Sequence, residues 1–223
     1  MNIKEIYNHF EKIGSVVFAT IDNGLPETRI AHFFAEDEEG LYFRTMITKP
    51  FYHQLKSTGK VSVCGMNAKT EIEHDEEGLP LFEGGYSIRV SGECEEVPFE
   101  YIEEKAKTSK DFMLGYKDIL KYPALRAFVL KKGRGEVFDF DFEKENRDYK
   151  LQRTRFTFNG YEYPLRGLFV NENCINCGLC EKACSFDAIT KGSIRYHINQ
   201  DRCDACGDCT IACKFDAIDV ITD

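Results

Sequence analysis

Residues 174–189 read CINCGLCEKACSFDAI, and residues 203–218 read CDACGDCTIACKFDAI. At an offset of 29 the two stretches agree at ten of sixteen positions, so this part of the chain is a duplication. Each copy spaces its cysteines C-x2-C-x2-C-x3-C: Cys174, Cys177, Cys180 and Cys184, then Cys203, Cys206, Cys209 and Cys213. Iron takes soft, charged sulfur ligands, and spacers this short let one loop present three thiolates to one face of a cubane. The fourth cysteine of each copy is placed to reach the neighbouring cluster. The spacing predicts two [4Fe-4S] clusters and one-electron transfer. Structural zinc takes four ligands, usually as two separated pairs, which these runs of four fit poorly. A disulfide framework fits worse. Residues 1–14, MNIKEIYNHFEKIG, are polar and lack the long apolar run of a secretory leader. Reduced thiols and a cytoplasmic protein are therefore expected.

The duplicated stretch resembles the bacterial two-cluster ferredoxins, over roughly residues 167–223, and implies a small α+β domain. Gly178 and Gly207, each directly after a second cysteine, permit a tight loop whose N–H groups can point at cluster sulfurs. The Phe and Ile of the shared Phe-Asp-Ala-Ile stretch are expected to cover the clusters. So small a domain has little apolar core, and metal–thiolate bonds must supply much of its stability. The chain departs from the family at Ser185 and Lys214, where proline is common after the fourth cysteine. Lys214 adjoins Cys213, which is assigned to the cluster of Cys174, Cys177 and Cys180. A cation there should raise that cluster's potential, unless solvent screens it.

The whole chain has 223 residues, room for this module and one further domain of about 150 residues. A net charge of −9 argues against nucleic acid as a partner, and no stretch is long enough to span a bilayer. The one basic stretch, Arg147, Lys150, Arg153 and Arg155, is expected to be a solvated face of the connection. The domains expected are 1–143, a connection over 144–166, and 167–223.

Upstream, Ile3, Ile6, Phe10 and Ile13 recur at helical spacing. SVVFATI (15–21) reads as a buried strand, and Asp22-Asn23-Gly24 as a hairpin turn into ETRIAHFF. LYFRT (41–45) is a third strand, and Thr48-Lys49-Pro50 starts a helix. VSVCGM (61–66), YSIRVSGECEEV (86–97), RAFVLKK (126–132) and GEVFDFDF (135–142) are four further strand candidates, with two short helices over 98–121. Many antiparallel strands with few helices make this half mainly β and suggest a small closed barrel.

The helix, then GLPETRI (24–30), LYFRTMITKPFYHQLK (41–56), VSVCG (61–65) and YSIRVSGE (86–93), resemble the pyridoxamine 5′-phosphate oxidase-like split barrels that bind FMN. The resemblance implies a homodimer with a flavin in a groove between subunits, and it implies Arg29, Arg44, Thr45 and Lys49 as flavin contacts. The chemistry is apt. A phosphate dianion wants guanidinium, ammonium and hydroxyl groups and the free N–H groups of a helix start. Each of the four, taken alone, reads better as a surface residue of a barrel; the four together around one strand–helix junction tip the balance.

Cys64 and Cys94 read as small buried hydrophobes. His32, three residues from Arg29, falls on the other face of its strand and reads as outward or core-bound, not catalytic. The acidic run Glu71, Glu73, Asp75, Glu76 and Glu77 reads as a long solvated loop. The two modules together suggest an FMN-dependent oxidoreductase with its own ferredoxin, exchanging electrons with an external protein and a small organic molecule. A non-enzymatic carrier or redox sensor with the same cofactors is the alternative. A third option fills the barrel with haem or a deazaflavin.

Overall fold

A computed structural model describes residues 1–67, 73–81, 84–139, 152–162 and 167–221. The chain divides into two units. One gathers residues 1–67, 87–135 and 156–162; the other takes the described residues of 68–86, 136–155 and 163–223.

Helix α1 (Ile3–Ile13) is opened by a capping box. Asn2 Oδ1 accepts from the Glu5 N–H and the Glu5 carboxylate accepts from the Asn2 N–H, both at 2.9 Å. Its buried face is Ile6, Tyr7 and Phe10. β1 (Val16–Asp22) and β2 (Leu25–Ala31) pair as the expected hairpin. Asn23 and Gly24 take φ of 47° and 84°, the two left-handed residues that a twist-compatible two-residue turn needs. β3 (Ala35–Asp37), β4 (Gly40–Met46), α2 (Pro50–Thr58) and β5 (Lys60–Asn67) follow. Within the acidic run, the described residues form a short ribbon of β6 (Glu73–His74) and β7 (Pro80–Leu81), not a plain loop; Glu71 lies outside the described residues. Then come β8 (Tyr86–Val97), the two expected helices α3 (Phe99–Ala106) and α4 (Lys110–Lys121), β9 (Leu125–Asp139) and β10 (Gln152–Phe158).

RAFVLKK and the described part of GEVFDFDF are not two strands but the single strand β9. The glycines between them look like a turn but mark close backbone approach. A Cβ on Gly133 would meet the Ser91 carbonyl oxygen at 2.5 Å, and one on Gly135 would meet that of Arg89 at 2.5 Å. The boundary between the units falls inside β8, β9 and β10.

The main sheet runs β2-β1-β5-β8-β9-β4-β3, with β10 also paired to β9. β1 and β4 stand four places apart, roughly 19 Å in a flat sheet. Yet the rings of Phe18 on β1 and Phe43 on β4 lie 5.1 Å apart. The sheet is therefore curled into a barrel around an aromatic core: Phe18 also meets Phe33 and Phe51, and Phe43 stacks on Phe128. The hydrogen-bonded path ends at β2 and β3 rather than closing, so the barrel is split and not sealed.

The second unit's remaining elements are β11 (Gly167–Val170), α5 (Leu179–Ala183), β12 (Ile189–Lys191), β13 (Tyr196–Ile198), α6 (Asp208–Ala212) and β14 (Ile218–Ile221). β11 pairs with β14 and β12 with β13, both antiparallel. Leu168, Val170, Phe186, Ile189, Tyr196, Ile198 and Ile218 share the core with Cys180, Cys203 and Cys209. Thiols thus occupy positions that a larger domain would give to hydrocarbon. No helix among the described residues is long and apolar enough to cross a membrane.

Candidate cofactor sites

The duplication is written into the backbone. Asn176 and Ala205 have φ of 61° and 58°, Gly178 and Gly207 have 81° and 90°, and Asp187 and Asp216 both have 51°. Every pair is 29 residues apart. These left-handed turns aim N–H groups at sulfur: Asn176 N–H to Cys174 Sγ (3.5 Å) and Ala205 N–H to Cys203 Sγ (3.3 Å). Ala188 N–H to Cys184 Sγ and Ala217 N–H to Cys213 Sγ, both 3.4 Å, form the second matched pair.

The fourth cysteines trade places as expected. Cys174, Cys177 and Cys180 line a small cavity together with Cys213. Burial first, then the neighbouring sulfurs, pushes the Cys209 thiol up to about 11; Cys184 is near enough to act on both Cys206 and Cys209. Metal binding would take the protons of such thiols. Among the described residues no three His, Cys, Asp or Glu side chains are close enough to hold a single ion. Zinc would need all four sulfurs within about 2.3 Å of one centre. The thiolates of a cubane bind separate irons and stand wider.

Cover over the thiols is uneven. Phe186, Ile189 and Ile218 are buried as expected, but Phe215 is 42% exposed beside the first cavity, as is Ile175 at 59%. Lys214 is exposed. The basic stretch is not a solvated face where it is described: Arg153 and Arg155 are 14% and 16% exposed and share the buried Glu136, while Arg147 and Lys150 lie outside the described residues. Arg153 also pairs with Asp204, Nη2 to Oδ1, at 2.5 Å. Two acids, one of them buried, draw these arginines inward.

In the first unit, Arg29, Arg44, Thr45 and Lys49 all line one cavity of about 620 Å³. β4 supplies Arg44 and Thr45, and the start of α2 supplies Lys49 as its extended N-cap residue ahead of Pro50. Arg29 is fixed before any ligand arrives. Its Nη1 donates to Thr20 Oγ1 and its Nη2 to Gln54 Oε1, both at 2.7 Å, and its guanidinium lies 4.3 Å over the Phe51 ring. Thr20 Oγ1 donates to the same Gln54 oxygen at 2.6 Å. Arg44 is held by Asp118 of α4, 2.7 Å from its Nη2, and by the Phe34 ring. Its Nη1 is buried without a hydrogen-bond partner. An unsatisfied charged donor costs more than an ordinary lost bond, so this nitrogen calls for an acceptor. Asp22 and Glu27 also line the cavity and moderate its positive charge.

Gln54, which the sequence reading passed over, and His32, which it read as outward or core-bound, also line the cavity. Gln54 is a polar residue 5% exposed on the buried face of α2 with Phe51 and Leu55, and that misplacement was the available signal. His32 lies on the rim, because β2 ends at Ala31 and strand alternation no longer governs the next residue. Burial, with Arg44 nearby, holds its imidazole below the ordinary value, while Asp118 opposes. Cys94 is buried as expected; Cys64 is exposed, because it sits on the outward side of β5. A second groove of about 670 Å³ offers no comparable cation: Lys56 and Arg126 both pair with Glu96, at 3.0 and 3.5 Å.

Residues 173–218 match the 4Fe-4S dicluster domain family. The 4Fe-4S ferredoxin FdxA of Gottschalkia acidurici is 50% identical over 32 residues, 14% of this chain and 57% of that ferredoxin. The match spans little more than half of that relative's length. The chain thus carries a 4Fe-4S domain at these residues. A NimC/NimA family protein of Clostridium acetobutylicum is similar in structure, at 20% identity and a TM-score of 0.49, over 70% of this chain and 92% of that one. PhzG of Burkholderia lata is similar at 14% identity and 0.45, over 72% and 84%. The barrel cavity has to be read from its own side chains.

Proposed function

We propose that this chain is an oxidoreductase whose barrel cavity holds FMN and whose two thiol sets each hold a [4Fe-4S] cluster, passing electrons between an external protein and a small organic molecule. The observation that carries the reading is the meeting of Arg29, Arg44, Thr45 and Lys49 in one cavity, with a buried guanidinium nitrogen left unpartnered. When bound, a flavin supplies two-electron exchange with organic molecules and the cubanes supply single electrons.

The chain's part is to bind, orient and exclude water. Arg44, Lys49 and Arg29 offer charge-assisted donors to a phosphate, with Thr45 as a hydroxyl partner. The Thr20–Gln54 brace keeps Arg29 in place, so little ordering remains to be done on binding. In the other unit the N–H groups of Asn176, Ala188, Ala205 and Ala217 spread negative charge from four of the sulfurs. We also infer a homodimer: the edge strand β2 leaves Leu25 and Ile30 67% and 66% exposed, apolar surface suited to a second copy.

The test is anaerobic purification followed by cofactor analysis. Full occupancy requires about eight irons per chain and one released FMN. Lys49→Ala with Arg44→Ala should lose the flavin on desalting and keep the iron. A variant that stays fully yellow overturns the cavity assignment, and zinc in place of iron overturns the clusters. Reoxidation of the reduced protein by quinones or nitroaromatics, faster than in that variant, separates an enzyme from a carrier.

A further inference from the structure

Resting on the cluster assignment above, we propose that Arg153 makes the two clusters unequal, by neutralising an acid that only the second loop carries. The matched positions 175 and 204 hold Ile175 in the first loop and Asp204 in the second; Leu179 and Asp208 make the same contrast, but Asp204 is the acid that an arginine meets. Asp204 stands between Cys203 and Cys206. An uncompensated carboxylate so close to two thiolates opposes the arrival of an electron. In the first loop that position is apolar and 59% exposed, so there is nothing to compensate.

Arg153 is built to do the compensating. Its Nη2 takes Asp204 Oδ1 at 2.5 Å and its Nη1 takes Glu136. Its guanidinium lies 4.7 Å over the ring of Phe138, which itself packs against the thiol-bearing core. The Nε is buried with no partner. A surface arginine would keep that nitrogen in water; this one forgoes a hydrogen bond to reach both acids. Arg155 shares Glu136 and anchors to the Gln200 carbonyl at 2.7 Å. Two guanidinium groups therefore meet these two carboxylates, while Asp208 beside Cys206 is unchanged in every variant below. Taking Arg153 away adds one uncompensated negative charge next to the second loop, in a site too enclosed for salt to screen it well.

The potential of the second cluster should thus depend on Arg153, and that of the first should not. The test is a mediated redox titration of the full-length, iron-loaded protein, followed by electron paramagnetic resonance. Arg153→Gln should lower one of the two reduction steps by roughly tenfold in its equilibrium, 59 mV for one electron. Asp204→Asn should raise that same step, and Ile175→Asp should lower the other. Opposite shifts confined to one step are not what a loosened fold produces, and Arg153→Lys should restore most of the wild-type value. Unchanged steps in both Arg153→Gln and Asp204→Asn, with iron at full content, overturn the proposal, as do shifts of equal size in both steps. Wild-type protein lacking iron overturns the cluster assignment instead, so the two failures are distinguishable.

Discussion

The barrel and the thiol-bearing unit are held together by different means. In the barrel, Phe10, Phe18, Phe33, Phe43, Phe51 and Phe128 are all less than 9% exposed and meet ring to ring. In the other unit three of the eleven residues of the core cluster are cysteines, with Cys174, Cys184 and Cys213 packed against it. Hydrocarbon packs whether or not a cofactor is present. Thiols at core positions release most of their stabilisation only when metal takes their protons. One fold carries its own adhesive; the other waits for it.

The most forceful way to break this comparison is to strip the iron. Under chelation the amides of residues 167–221 should lose their protection in hydrogen exchange, while those of β1, β4 and β9 keep theirs. Protection that survives throughout would mean that the thiol-bearing unit has an adequate core after all. Next in size, Phe18→Ala should destabilise the barrel by about 4 kcal/mol in a urea melt. Iron content in native buffer should stay the same, and iron lost in parallel would break the division between the units.

A third effect is acid-dependent and belongs to the barrel alone. Burial works against ionisation of Asp37, yet Lys105, Tyr101, the Glu39 N–H and Tyr42 all donate to it and hold its carboxyl below the usual range. Its contribution is complete above the unfolded value of about 3.9 and is lost as pH falls through the lower folded one. Asp37→Ala should cost about 3 kcal/mol at neutral pH and less as the acid limit is approached, read from urea melts across that range. Smaller again, Ala205→Gly should relieve a left-handed alanine that the first loop answers with Asn176. The gain is about 0.5 kcal/mol, seen as slower iron loss to chelator. The smallest effect is at Lys214: its side chain is exposed, so Lys214→Gln should leave both potentials unmoved.

Legibility in the sequence followed locality. The thiol loops could be read because three ligands, the left-handed turns and the N–H donors all lie within a few residues of one another. The barrel strands were legible through alternation, and Asn23-Gly24 through turn chemistry. What depended on distant partners was not. Gly133 and Gly135 looked like a turn because the reason for them, the carbonyls of Ser91 and Arg89, sits on another strand. Arg153 and Arg155 looked solvated because Glu136 lies 17 and 19 residues away in the chain. His32 and Gln54 became cavity residues only once β2 ended and α2 turned its polar side chain inward. The three cations and Thr45 that the family resemblance implied do meet in one cavity, and nothing in their spacing alone required it.

On the proposed pairing each loop lends its last sulfur to its twin, so neither tetrad exists in a half-made chain. A ribosome that has released Cys184 has supplied the first loop's own thiols, but the set around Cys174 stays one anchor short until Cys213 emerges, 29 residues later. Loading of the first set is thereby deferred until after the second is complete at Cys209, and a transcript cut short before Cys209 yields a protein with no complete nest for either cubane.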